Sequence, residues 1–252
     1  MAVSIDKVYQ KVLALANKEQ RGYITPQEFN LFADHAQMDI FEQYFYDLEQ
    51  ASRVNPSSLD YADKVTNLDE KISLFERYDV PMSAIGSTGD VHFGTGNVYK
   101  LGIVRVKYSA QNTFKEVEEV QPKELNTYLA SPLTRSSSLA GPYYVKHYAN
   151  NIYGDRDLRI TVYPYPIAQA GDQILVSYTE KPISPNWTYS IVNGNALYNP
   201  SAADHQVFEL HSSEENKLVI GILKLAGISI KDPQLVQIAS QEEMKKIQLE
   251  KQ

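Results

Sequence analysis

Apolar residues recur at Phe29, Phe32, Ala33, Ala36, Ile40, Phe41, Tyr44, Phe45 and Leu48, one broad stripe at the helical period. The signals at its start agree. Thr25 is an N-cap, Pro26 suits the first helical position, and Glu28 completes a T-x-x-E capping box. Ile24, just before the cap, is placed to pack on Phe29 as a hydrophobic staple. The spacing predicts a helix of roughly 28 residues, about 42 Å long, ending shortly before Pro56. Such a helix is expected to organise neighbours on both sides.

A shorter helix precedes it over Ser4 to about Asn17, with Ile5, Val8, Tyr9, Val12, Leu15 and Ala16 on one face. Asn17 to Gly22 is polar and ends in glycine, a helix stop. After Pro56 a third segment carries Leu59, Val65, Leu68, Ile72, Leu74 and Phe75 at imperfect spacing. It reads as partly helical, interrupted near Asn67 and ended before Pro81.

From Pro81 the pattern changes. Nine of the 12 prolines lie between Pro81 and Pro200, and 12 of the 18 tyrosines between Tyr99 and Tyr198. That punctuation into short Val-, Ile-, Tyr- and Thr-rich segments predicts an antiparallel sandwich or barrel-like domain. Val91 to Phe93, the turn Gly94-Thr95-Gly96-Asn97, and Val98 to Tyr108 predict a hairpin. Phe114 to Val120 reads as a further strand and Pro122 to Leu129 as a short helix. Tyr143 to Tyr148, Asp157 to Tyr163 and Gln173 to Glu180 complete the strands, the last the clearest of them.

Helix returns near the end. Ser212 with Glu215 reads as a second capping box, and Leu218, Val219, Ile222, Leu223 and Ala226 form a stripe closed by Gly227. Asp232-Pro233 restarts a helix with Leu235, Val236, Ile238 and Ala239 apolar. Beyond it only Met244, Ile247 and Leu249 remain, an end that is frayed or awaits a partner surface. The expected fold is α+β: an N-terminal helical region at 1–80, a central antiparallel β-sandwich-like domain at 81–208, and C-terminal helices and tail at 209–252.

Composition narrows the function classes. With 252 residues, 43% of them hydrophobic and 22% charged, the chain can bury a full core. It contains no cysteine, which excludes disulfides and thiolate metal sites and fits a reducing cytoplasm. No apolar run approaches the roughly 20 residues of a membrane span, and no apolar h-region suggests a signal peptide. Asn186-Trp187-Thr188 matches a glycosylation sequon, read as chance without an export signal. Residues 1–79 carry 14 acidic against 8 basic side chains, so nearly all of the net charge of −7 sits there. That balance argues against a dedicated nucleic-acid surface and for a solvated acidic face.

Candidate chemistry is sparse. His35, His92, His147, His205 and His211 form no metal-ligand spacing. Gly86-Ser87-Thr88-Gly89 and Gly94-Thr95-Gly96 lack the lysine-hydroxyl pair of a phosphate loop and read as turns. No G-x-S-x-G elbow occurs. Asp155 and Asp157 read as turn charges with Arg156 and Arg159 as partners. Trp187 reads as an anchor between strands, and the tyrosines as sandwich packing or a glycan or protein contact surface. The expectation is no catalytic centre, no cofactor and no metal.

Three stretches carry a resemblance: QRGYITPQEFNLFADHAQMDIFEQYFYDL, TVYPYP with VSYTEKPISPNW, and FELHSSEENKLVIGILKLAGISIKDPQLVQIASQEE. Together they resemble structural proteins of tailed phages of the crAss-like group and of related marine and Bacteroidetes phages, over most of the chain. Head-to-tail connector (neck ring) proteins are the functional match. The resemblance implies a homo-oligomeric, twelve-fold ring beneath the portal, contacts with other neck and tail ring proteins, and a virion assembled in the host cytoplasm. It also implies a channel through which phage DNA passes without specific binding, and no enzymatic activity or membrane contact. Leu235, Val236, Ile238, Met244, Ile247 and Leu249 are then candidates for docking on the portal or a neighbour. A tail or receptor-contact module using the tyrosine-rich domain is the alternative.

Overall fold

In the computed structural model the described residues are 2–18, 24–53, 59–82, 84–85, 90–93, 97–108, 113–133, 141–150, 156–164, 172–229, 241 and 244–245. In chain order the first elements are β1 (Ala2–Val3), α1 (Ile5–Lys18), α2 (Pro26–Arg53) and α3 (Leu59–Ser73). Then come β2 (Glu76–Met82), β3 (Ala84–Ile85), β4 (Asp90–His92), β5 (Val98–Lys107), β6 (Lys115–Glu116), β7 (Glu118–Glu119) and α4 (Leu125–Ala130). The chain continues through β8 (Tyr143–Asn150), β9 (Arg156–Tyr163), β10 (Gln173–Glu180), β11 (Tyr189–Val192), β12 (Asn195–Tyr198) and β13 (Phe208–His211) to α5 (Glu215–Ser229). This is an α+β fold with helices at both ends of the chain and sheets between them.

The chain divides into two compact units, Met1–Leu74 with Pro182–Gln252, and Phe75–Lys181. The boundaries therefore differ from the expected 80/81 and 208/209. Residues 182–208 join the helical unit because Trp187 and its neighbours bury their side chains against α1 and α2 (below). The strand-forming run begins before Pro81, which lies inside β2. There the imino acid is tolerated because β2 is an edge strand of its sheet.

In the helical unit α2 is 28 residues long, starting at Pro26 as its capping signals require. Thr25 N–H donates to Glu28 Oε2 at 3.0 Å, and Glu28 N–H donates to Thr25 Oγ1 at 3.3 Å, the reciprocal capping box. The backbone bond from Thr25 N–H, and after it the one that Thr25 Oγ1 donates to Glu28 Oε2 at 2.8 Å, hold the Glu28 carboxyl below its ordinary pKa. Ile24, Phe29, Ala33, Ala36, Ile40, Phe41 and Tyr44 are all buried, so the stripe does face the core. α3 runs unbroken through Asn67, where an interruption was expected, and ends at Ser73, before Pro81 as expected. Gly227 does not end α5 either. It is buried and the helix continues to Ser229.

The β unit is a sandwich of two sheets, ordered β2-β10-β5-β6 and β3-β4-β9-β8-β7. Their pairings are antiparallel except β7 with β8. Val104, Val106, Ile174 and Val176 from the first sheet and Val91, Tyr144, Ile160 and Val162 from the second form one buried cluster. The hairpin expected over residues 91–108 is not formed. β4 pairs with β3 and β9, whereas β5 pairs with β10 and β6 in the other sheet. Likewise the run 114–120 is split, β6 entering one sheet and β7 the other, with Val117 buried between them.

β10 is central, and both its partners change register opposite Ser177. Across β2 the adjustment uses Asp79, whose φ of 50° lies in the left-handed region and whose N–H donates to Ser177 Oγ. Across β5 it uses Gly102, where an added Cβ would sit 2.9 Å from the Ser177 carbonyl oxygen. Only glycine allows the strands to approach that closely.

Candidate functional site

Polar side chains on α2 hold a strap formed by residues 182–188. Asn30 Nδ2 donates to Asn186 Oδ1 at 2.7 Å and to the Trp187 carbonyl, while Trp187 N–H donates to Asn30 Oδ1 at 2.8 Å. Two turns on, the fully buried Gln37 donates from Nε2 to the Ile183 carbonyl and accepts at Oε1 from Glu209 N–H. Glu209 closes the loop by accepting from Ile183 N–H. Trp187 is thereby fixed against Tyr9, 4.2 Å between ring centroids, and stacked on Tyr189 and Tyr198, with its indole N–H donating to Asp6. It is an anchor with its face covered. Asn186 spends its remaining amide hydrogens on Asp204, so the sequon asparagine is committed within the fold.

The start of α5 ties the helices together. A 3-10 turn at Ser212–Glu214 precedes it, capped by His211, which accepts from Ser213 N–H. The capping box read from Ser212 and Glu215 is therefore replaced: Glu215 reaches Lys7 and Lys11 of α1 instead. Hydrogen bonds from Lys11 and Lys7 hold its carboxyl below the ordinary range. Glu214, 1% exposed, pairs with Lys71 of α3 at 2.6 Å and with Lys217 at 3.4 Å. Burial alone would raise that carboxyl, but the hydrogen bond from Lys71 and the charge of Lys217 outweigh it, and it too is lowered.

Beside this joint α2 and α5 leave an open groove of about 280 Å³. Gly221 lets the helices approach, since an added Cβ there would be 3.3 Å from Ala36 Cβ. Ala36 and Ile40 line its buried base together with Gly221 and Leu225. Its walls carry Lys217 and Lys224 from α5 and His35 and Asp39 from α2.

A second polar group lies on the β unit. The register places His92 and His147 directly across from Arg159, on either side of it, so one face of β4-β9-β8 carries all three. In the next row Thr161 Oγ1 donates to Asp90 Oδ1 at 2.5 Å and lies 3.5 Å from His147 Nδ1. Burial, then the Arg159 charge, lowers the His92 pKa despite opposing carboxylates at Asp90 and Asp157. The threonine hydroxyl is committed to the Asp90 carboxylate, and its contact with the imidazole is the longer of the two. Arg159 donates to the Asn150 carbonyl, and Asp157 is buried at the start of β9. Among the described residues no group of three or more His, Cys, Asp or Glu is arranged to hold a metal ion.

No family model matches the chain, and no curated protein matches it.

Of the residues expected to dock, Met244 is described and is 58% exposed. Leu235, Val236, Ile238, Ile247 and Leu249 lie outside the described residues, as do Asp155 and the two glycine turns at 86–89 and 94–96. Among the described residues no helix is long and apolar enough to cross a membrane. Sequence reasoning passed over Asn30, Gln37 and Glu214. Gln37 did carry a signal. With Ala33 four places before it and Phe41 four places after, it stands inside the apolar stripe, where an unpartnered amide would be costly.

Proposed function

We propose that this chain is a virion structural protein, a head-to-tail connector subunit that assembles as a homo-oligomeric ring, docks beneath a portal and borders the DNA channel. The observation that carries this reading is the resemblance of the three stretches quoted above to phage structural proteins. Its support from the fold is that the opening stretch, the KPISPNW end of the middle one and the closing stretch are bound to one another through Asn30, Gln37 and Glu209. The parts of the three stretches that lie in the helical unit are thus held to one another. The acidic N-terminal third fits a wall along which DNA slides without adhering. Glu42 and Glu49 of α2 are exposed there.

In this reading the chain turns over no substrate, and its role is positional. Negative-stain microscopy of the purified chain, alone and mixed with a portal, tests it. Rings, or decoration of the portal, are the expected result. A strict monomer indifferent to virion components, yet able to cleave or modify some molecule, overturns it. A second reading, a tail or receptor-contact module, draws on Tyr78 and Tyr148 of the β unit, 69% and 68% exposed. Saturable glycan-array binding that is lost on replacing both tyrosines by alanine would favour it.

A further inference from the structure

We propose that the groove between α2 and α5 of one copy is the seat for the C-terminal segment around Met244 of the next copy; this inference rests on the ring reading above. The groove is open, and Met244 of the same chain is more than half exposed, so within one copy the hole and the apolar knob do not fill one another. At about 280 Å³ the groove falls just short of the roughly 300–1,000 Å³ usual for ligand pockets, a size suited to seating side chains. Its base is apolar, formed by Ala36, Ile40 and Leu225, with Gly221 contributing no side chain. A methionine, unbranched and adaptable, suits such a floor.

Charge selects this occupant further. The segment reads Glu242-Glu243-Met244-Lys245-Lys246, an acidic pair and a basic pair on either side of the methionine. The groove carries the opposite signs, Lys217 and Lys224 on the α5 wall and Asp39, which lies 3.7 Å from His35, on the α2 wall. Lys217 also serves Glu214, which holds it at the groove. Acid against α5 and base against α2 fixes one direction of entry, and the reversed orientation juxtaposes like charges. The contact joins two different surfaces of the same subunit. Such head-to-tail contacts close into rings when the rotation allows.

The chain has no native cysteine, so introduced thiols are the only ones present. His35→Cys and Met244→Cys both alter exposed side chains. The full-length single variants, mixed and oxidised, are expected to give a mixed disulfide dimer, and the double variant a covalent ladder of oligomers. In a second measurement Lys224→Glu is expected to weaken assembly by about tenfold or more, and Glu243→Lys in the same chain to restore it. Rings that form without the mixed disulfide overturn this contact and leave the connector reading standing. An intrachain disulfide in the double variant assigns the groove to the chain's own tail and overturns it as well. Failure of the native chain to assemble, alone or on a portal, overturns both.

Discussion

In the helical unit Asn30 and Gln37 hold segments 146 to 172 positions away, each bond made by a side chain to one particular backbone group or amide. In the β unit the long-range order comes from the backbone ladder of β10 with β2 and β5, filled in by valine and isoleucine. The first unit is specified by a few polar contacts around an aromatic cluster. The second is specified by register, with one glycine and one left-handed aspartate adjusting it at Ser177. The lesson is where each is vulnerable: the helical unit at single side chains, the β unit at backbone approach.

The largest expected effect is on the aromatic anchor. Trp187→Ala removes a buried ring packed on Tyr9, Tyr189 and Tyr198 and should cost about 3–5 kcal/mol, read by far-UV CD in a urea titration. A loss under about 1 kcal/mol, within the range of an ordinary surface change, would sink the view that the strap is pinned there. Next, Gly102→Ala drives a methyl into the Ser177 carbonyl and should cost about 1–3 kcal/mol, with altered amide protection along β5 and β10. An unchanged hydrogen-exchange pattern would mean that register is not what the glycine protects. Gln37→Leu should cost about 1–3 kcal/mol, because it keeps the volume and strands the Ile183 carbonyl and Glu209 N–H. Wild-type stability in that variant would show the amide to be dispensable.

Acid should separate the two units. His92 has a folded pKa below its ordinary 6.5, so it favours the folded state above pH 6.5 and that contribution fades as pH falls below it. Glu214 and Glu215 have folded pKa values below 4.5, so their contribution is present above pH 4.5 and is lost as pH drops through and below that value. On acidification the β unit should therefore loosen first, seen by NMR in the amides beside His92 before those of α5. His92→Gln should delay that onset, and simultaneous loss in both units would contradict the ordering. The smallest expected effect is Thr25→Ala, about 1 kcal/mol from the cap of α2, with Thr25→Ser close to wild type by thermal melting.

Local signals were legible where local chemistry decides. The capping box located the start of α2 at Pro26, and β10 matches the clearest of the expected strands, Gln173 to Glu180. The pairing of strands was not legible. Two apolar runs joined by a glycine turn look alike whether they zip together or enter facing sheets, and that choice is made by long-range packing of residues such as Val91 and Val106. Gly227 looked like a stop, but burial inside α5 overrode its poor helix propensity. The β11–β12 hairpin was missed although Asn193-Gly194, both at positive φ, is the dipeptide such a turn demands. For the groove, its apolar positions were visible on each helix, but the facing of Ala36 and Gly221 is a property of two segments 185 positions apart and no local pattern reports it.

The commitment of Asn186 has a practical consequence for producing the protein. In a eukaryotic secretory host, oligosaccharide transfer acts on the extended chain, before the strap closes. A glycan placed on that nitrogen would meet Asp204 and α2 where the carboxamide now lies, so the chain would leave such a host misassembled at the Trp187 anchor. Bacterial expression, or Asn186→Asp in a secreted form, keeps the sugar away, and only the first also keeps the donor to Asp204.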